Sequence, residues 1–374
     1  MTAVTNLPHA DLAAEWAAAR TPATVLHLDS AAAARSSTAM LDAVQTHLRR
    51  EVATGGYVAA GEAGLALDQA RVDLGGLVGR SAADVAFVES AQAALATLLS
   101  AWRLPAGATV LVSPGEYGPN LALFARLGFV AEPLAVLDNR GHVDIDGLRA
   151  RLAVDPPAFV HLCHLGSHRG VVQPAAAVVS ACRHAGVPVV VDAAQALGHV
   201  PCDHDADAVY ATSRKWLAGP RGVGMLAVRP GFAAQLNRPV SELGSTEAFV
   251  AGRVGLGVAL AEHRAAGPRR VQQRLAALGA LTRTALHGVA GWHPVEEIAE
   301  PSATTTLAPP VGWTDAQVAR AQYRLLHEHR VVLTLAEPWR APLEAHASVL
   351  RLSPHVDAGP ADIEQLAHAL TAIS

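Results

Sequence analysis

Lysine is almost missing from this 374-residue chain: of 29 basic side chains, Lys215 is the one lysine and all the others are arginine. Arginine serves wherever a surface cation is needed, but its guanidinium keeps its proton and cannot act as an amine nucleophile. A chain this biased keeps a lysine where an amine must lose a proton or condense with a carbonyl. Compositional drift is the competing explanation, and the neighbours of Lys215 decide between the two. Cysteine is scarce as well. Cys163, Cys182 and Cys202 are odd in number and show no paired spacing, which argues against a disulfide framework and a zinc ribbon and leaves them as reduced, buried thiols. Neither sign of charge dominates: a net charge of −4 leaves no basic field for nucleic acid or anionic lipid. No apolar run approaches a membrane span, and Asp11 and Glu15 interrupt the alanines near the start where a secretory leader would be continuous, so a cytoplasmic protein is expected.

What is present is an alternation. Short β-branched runs (85–88, 109–112, 158–162, 187–191, 208–211 and 224–228) are separated by alanine-rich helical stretches such as 91–102, 118–127 and 173–185. That pattern predicts an α/β fold, a mostly parallel sheet with helices on both faces. After about Gly255 the texture changes to a helical tract reaching about His287, then mixed strands and a last helix from Pro360 to Ile373. A large domain over 25–255 is expected, with 1–24 and 256–374 forming a smaller α+β domain.

Ligands of open parallel sheets sit outside the carboxyl ends of the strands. One buried run delivers Asp192, in Val-Val-Asp-Ala-Ala-Gln, and the next delivers Thr212-Ser213-Arg214-Lys215. Asp192 alone would read as a turn cap. An acid after one strand and the sole lysine after the next is the arrangement that holds pyridoxal phosphate, with lysine on the carbonyl carbon and aspartate on the ring nitrogen. The phosphate needs its own site. Ser90-Ala91-Gln92 opens a helix whose free N–H groups suit a dianion, although Ser90 also reads as an ordinary N-cap. Thr212 and Arg214 flank the lysine and could close on the same phosphate. Tyr117, in the loop after 109–112, is placed to stack on a ring or simply to pack. Cys202-Asp203-His204-Asp205 and the His327/His329 pair resemble metal clusters, but their spacing points to structural roles, so no metal is expected.

In order and spacing, Leu28-Asp29-Ser30-Ala31-Ala32, the Ser90 helix, the Glu116-Tyr117 loop, Asp192 with Gln195, Lys215, Gly244-Ser245-Thr246 and Leu350-Arg351-Leu352-Ser353-Pro354 resemble the class V aminotransferase family of fold type I pyridoxal-phosphate enzymes over nearly the full length. The resemblance implies that Lys215, Asp192 and Tyr117 act on the reacting centre, that Gln195 bonds the cofactor's phenolic oxygen, and that Ser167 stands where many relatives place an asparagine. It implies that Arg351 grips the substrate carboxylate, where a structural salt bridge is the other reading. It also implies a homodimer in which Ser245 or Thr246 reaches the neighbouring subunit's phosphate.

The cofactor does not fix the reaction. Cysteine desulfurases of the family need a cysteine on a loop in the last third of the chain, and no cysteine follows Cys202. The wording Ser-Arg-Lys-Trp-Leu-Ala-Gly-Pro-Arg-Gly-Val-Gly around Lys215 most resembles the carbon–sulfur lyases of ergothioneine biosynthesis, which cleave hercynylcysteine sulfoxide. That resemblance implies β-elimination giving the ergothioneine thiol or sulfenate, pyruvate and ammonia. Tyr57, Glu247 and Trp339 are then candidates to meet the trimethylammonium end of the substrate. An aminotransferase, an epimerase, a general cysteine-conjugate lyase and a catalytically idle cofactor-binding regulator are the alternatives.

Overall fold

The computed structural model describes residues 7–374. Seven strands make the central sheet: β1 (Val85–Val88), β2 (Thr109–Val112), β3 (Val130–Pro133), β4 (Phe159–Cys163), β5 (Val189–Asp192), β6 (Ala208–Thr212) and β7 (Gly224–Val228). Their spatial order is β1-β7-β6-β5-β4-β2-β3. All run parallel except β7, which is antiparallel to both of its neighbours.

The strands read as continuous apolar runs because both faces are covered. Alternate residues divide between two cores. Val160, Leu162, Val191, Val209 and Ala211 pack with residues of helices Gly64–Val78, Ala175–His184 and Val250–Ala266. Phe159, Val190, Ala208 and Tyr210 face helices Ala91–Ala101 and Gly118–Arg126.

Six strands were expected and seven are found. The addition, β3, is an edge strand with Val130 exposed, so it has no apolar run to betray it, and its Pro133 is tolerated because an edge needs no second row of N–H donors. Asp192 was expected just beyond its strand and instead ends it. The helical tract after 255 is two helices, Val250–Ala266 and Pro268–Leu286. Gly267, at φ 80°, takes the positive-φ turn between them, and Pro268 opens the second where its missing N–H costs nothing.

A second, antiparallel sheet has the order β10-β11-β9-β8, with β8 (His293–Pro294), β9 (Thr305–Ala308), β10 (Thr334–Ala336) and β11 (Val349–Leu352). Leu307, Leu350 and Leu352 bury one face of it with Val318 and Leu325 of helix Asp315–His327 and with Leu366 and Leu370 of the closing helix Pro360–Ile373. Near the other end of the chain, Leu26–His27 pairs in parallel with Val331–Val332. The division into 25–255 against 1–24 plus 256–374 is the partition we propose on these two sheets, and residues 1–6 of its first segment lie outside the described residues. No described helix is long and apolar enough to cross a membrane.

Candidate active site

A cavity of about 400 Å³ opens at the carboxyl edge of β4, β5 and β6. Ser90, Ala91, Gln92, Tyr117, Ser167, Asp192, Gln195, Thr212, Arg214, Lys215, Trp339 and Arg351 all line it. A larger depression, about 620 Å³, lies between Pro22–His27 and the 357–365 segment, but it holds neither an amine nor a thiol and cannot host the same chemistry.

Lys215 is presented by a tethered loop. As β6 ends, Ser213 donates both its backbone N–H and its hydroxyl to Val223 O, at 3.0 and 2.9 Å. Gly219 N–H returns to Ser213 O, and Ala34 N–H bonds Arg214 O at 2.8 Å. Ala218 adopts φ 53°, a left-handed conformation unusual for a residue with a Cβ and a mark of local strain. Burial pushes the Lys215 ammonium down to about 7, and Arg214 and Arg351 push the same way against the attraction of Asp192. The side chain keeps some access to the cavity, so a free amine faces the space where a carbonyl would sit.

Asp192 is buried and held on both oxygens. Oδ1 accepts from Ala194 N at 2.8 Å, and Oδ2 accepts from Tyr210 OH at 3.0 Å and Asn120 Nδ2 at 3.2 Å. Strand register explains the meeting: Cys163, Asp192 and Tyr210 are cross-strand partners on β4, β5 and β6. Tyr210 OH lies 2.8 Å from His161 Nε2, and His161 Nδ1 lies 2.7 Å from Glu116 Oε2. A buried carboxylate lining the cavity suits a protonated ring nitrogen, and the bond to Ala194 N shows that it caps the turn as well.

At the other end Ser90 Oγ accepts from Ala93 N at 3.1 Å, so Ser90 is indeed an N-cap. The two readings are compatible, because the cap leaves the first N–H groups of an eleven-residue helix uncommitted beside the cavity. Arg214 makes no carboxylate ion pair among the described residues and lines the same cavity as Thr212 and Ser90. Gln195 gives Nε2 to Ala31 O at 3.0 Å, while its Oε1 is buried without a partner. A buried orphan amide oxygen beside an empty volume fits a ring bearing a hydroxyl. Amine, carboxylate, anion cradle and orphan amide together fit pyridoxal phosphate.

Arg351 is buried in the wall, where it bonds Asp29 Oδ1 at 3.1 Å, Thr334 Oγ1 at 2.9 Å and Ser167 O, leaving Nε buried and unpaired. Its guanidinium is thus committed to its own scaffold through both terminal nitrogens, as a structural anchor is, while it also lines the cavity. Trp339 lies 6.1 Å from Tyr117, ring to ring.

Four expected residues lie elsewhere in the chain. Ser245 and Thr246 line a separate depression with Phe87 and Arg253, and a Cβ at the preceding Gly244 would meet Phe87 O on β1 at 3.0 Å. Tyr57, 88% exposed, and Glu247 meet each other at 3.4 Å on the surface, so neither reaches this cavity. The sequence reading gave no role to Asn120, Cys163, Arg221 and Arg340, which line the cavity, or to His161, Glu116 and Tyr210 behind it. Alternation along β4 and β6 puts His161 and Tyr210 on one sheet face and was the available signal. The Cys163 thiol is pushed up by burial and by Asp192 and Glu116, which denies it a thiolate. Among the described residues no three His, Cys, Asp or Glu side chains are grouped to hold a metal ion, and Asp205 is instead bound to Arg80 and Arg183 at 2.8 and 2.7 Å.

Residues 26–270 match the sequence family described as aminotransferase class-V. A probable hercynylcysteine sulfoxide lyase of Mycobacterium tuberculosis (strain CDC 1551 / Oshkosh) is 48% identical, covering 98% of this chain and 95% of the relative. Among solved structures, an apo cysteine desulfurase from Thermococcus onnurineus NA1 superposes with a TM-score of 0.83 at 17% identity over 99% of both chains. The cystine C–S lyase C-DES, solved with its product cysteine persulfide, gives 0.81 at 19% identity over 93% of this chain and 98% of its own. At such identities the two structures establish a shared fold.

Proposed function

The chain belongs to the class-V aminotransferase family, and from that premise we propose that it is a pyridoxal-phosphate-dependent carbon–sulfur lyase acting on hercynylcysteine sulfoxide. The observation that carries the reading is the near full-length 48% identity to a relative bearing that name. The site is consistent with it. The loop that would hold a desulfurase cysteine supplies Trp339 and Arg340 to the cavity, and the thiol beside it, Cys163, is kept protonated.

Bound pyridoxal phosphate supplies an electron sink conjugated with the substrate Cα. The chain supplies the rest. The Ser90 helix start, Thr212 and Arg214 hold the phosphate, and Tyr117 covers the ring. Asp192 Oδ2 holds a proton at the ring nitrogen, which keeps the sink electron-poor. Arg351 orients the α-carboxylate. Lys215 Nζ, lowered to about 7 and so half free base near neutrality, would be the base that removes the Cα proton. The Cβ–S bond then breaks with its electron pair leaving on sulfur, and hydrolysis of the remaining three-carbon unit gives pyruvate and ammonia. A sulfoxide leaves more readily than a thioether, which suits a site without a sulfur-accepting thiolate. A homodimer belongs to the same proposal, with Ser245 or Thr246 reaching the partner's phosphate.

Incubation with hercynylcysteine sulfoxide should release pyruvate with no keto acid added. Amine transfer that depends on a keto acid, without pyruvate, would replace the lyase by an aminotransferase.

A further inference from the structure

Pairing a buried carboxylate with a ring nitrogen works only if the carboxylate stays ionised, and burial opposes that. Behind Asp192 lie Glu116, His161, Tyr210 and Asn120, each 2% exposed or less. Their protons can be assigned by counting donors and acceptors. Glu116 Oε1 accepts from Tyr117 N at 2.9 Å and from Asn120 Nδ2 at 2.9 Å, while Oε2 faces His161 Nδ1. Two fixed N–H donors on Oε1 suit an ionised carboxylate, and Oε2 as an acceptor then pairs with a proton on His161 Nδ1. Asn120 Nδ2 has two N–H groups and three acceptors within 3.2 Å. It donates to Glu116 at 2.9 Å and shares its other N–H between Asp192 Oδ2 and Tyr210 OH, both at 3.2 Å.

The remaining question is His161 Nε2. If Nε2 were bare it would take the tyrosine proton, and Asp192 would lose one donor. If Nε2 is protonated it donates to the tyrosine oxygen, and the one hydroxyl proton of Tyr210 goes to Asp192. Burial is the largest single influence and opposes a charge on His161, but the charge and hydrogen bond of Glu116 together with the charge of Asp192 outweigh it and raise the imidazole above its ordinary value, in line with the second pattern. In that pattern Glu116 and His161 cancel, and the negative charge left on Asp192 is balanced only by a cation in the cavity.

We propose that Glu116, His161 and Tyr210, together with Asn120, are positioning residues that hold Asp192 ionised and aimed, and through it fix the proton on the cofactor's ring nitrogen. This rests on the cofactor reading and not on the choice of substrate. Lys215 and Cys163 are the other titratable groups beside Asp192 among the described residues, the lysine ammonium lowered to about 7 by burial and the thiol kept protonated. The array is otherwise a buried polar filling of the sheet face, and the two roles differ in what they perturb.

The test uses the apoenzyme, titrated with pyridoxal phosphate and with its 1-deaza analogue, in which carbon replaces the ring nitrogen. Wild type should prefer the natural cofactor. Tyr210→Phe, which removes a hydroxyl and little volume, should reduce that preference about tenfold while analogue affinity changes by less than about twofold. Glu116→Gln should act in the same direction. An unchanged preference in Tyr210→Phe overturns the proposal, and so does an equal loss of affinity for both ligands, which is what a filling role gives. Should Glu116→Gln fail to fold, Tyr210→Phe decides alone. Wild type that binds both ligands equally overturns the ring-nitrogen role, and wild type that binds neither overturns the cofactor reading with it.

Discussion

The two walls of the cavity are built differently. One is made of strand ends, β5 and β6 with the turns that follow them, and its side chains are fixed by short bonds between buried groups: Asp192 by three donors, the Lys215 loop by Ser213 and Val223. The other is the 334–351 stretch of the small sheet. There Trp339 is 48% exposed, and between the two strands that bound this stretch Glu344 reaches back to His168 and to Arg169 at 2.6 Å. On the proposed reading the first wall would carry the amine and the ring-nitrogen partner of the cofactor, and the second, the more exposed at Trp339, would distinguish one substrate from another. On that reading cofactor binding follows from the rigid side, while reaction and substrate choice depend also on side chains of the second wall that a relative with the same fold can exchange.

Substitutions on the rigid wall should damage chemistry most. Lys215→Arg keeps the charge and removes both the cofactor amine and the base, so turnover should fall by about a thousandfold or more, with no covalent cofactor after borohydride reduction. Near wild-type activity in that variant would end the mechanism. Asp192→Asn should cost roughly a hundredfold in kcat. Thermal melting of the same protein should move far less than activity, whereas a mere turn cap would give the opposite.

The lysine's titration gives the next largest effect. Because its ammonium is lowered to about 7, the free amine is present above that pH and lost below it. The rate at which apoenzyme captures pyridoxal phosphate should rise about tenfold between pH 6 and 8 and then level off. A rate still climbing at pH 10 would mean an ordinary, solvated lysine.

On the second wall the effects should appear in binding. Arg351→Lys should raise KM for amino acid substrates roughly tenfold, since one ammonium cannot replace a guanidinium shared between Asp29 and a carboxylate. A loss of stability with KM unchanged would leave Arg351 as scaffold only. Gly118→Ala is the mildest change. A Cβ there would sit 2.1 Å from Trp339 O, so the Trp339 segment must move outward. KM should rise several-fold while cofactor affinity, measured on the same variant, stays put.

The same division governs what could be read from the sequence. Six of the seven central strands, the last helix, and the Lys215–Asp192 pair were visible because buried parallel strands announce themselves as apolar runs and their ends carry the ligands. The exposed edge strand β3 offered no such run. His161 and Tyr210 were hidden for the opposite reason, lying inside apolar runs where only the pairing of Cys163 with Asp192 and of Asp192 with Tyr210 reveals a polar column. Tyr57 and Glu247 were named as contacts for a distal cation, yet they pair with each other at the surface, and Arg221 and Arg340 stand in the cavity instead. Local sequence does not report which loop folds over a cavity, because that depends on packing between segments far apart in the chain.

Substrate identity is where the second wall must prove itself. Initial rates of pyruvate release should be measured on one enzyme preparation with hercynylcysteine sulfoxide, its thioether, and S-methylcysteine sulfoxide, which has the same reacting centre and no imidazole or trimethylammonium group. The expected result is a kcat/KM for hercynylcysteine sulfoxide about a hundredfold or more above that for S-methylcysteine sulfoxide, with the thioether slower than its sulfoxide. Equal kcat/KM for the two sulfoxides would contradict the assignment and leave a general cysteine-conjugate lyase in its place.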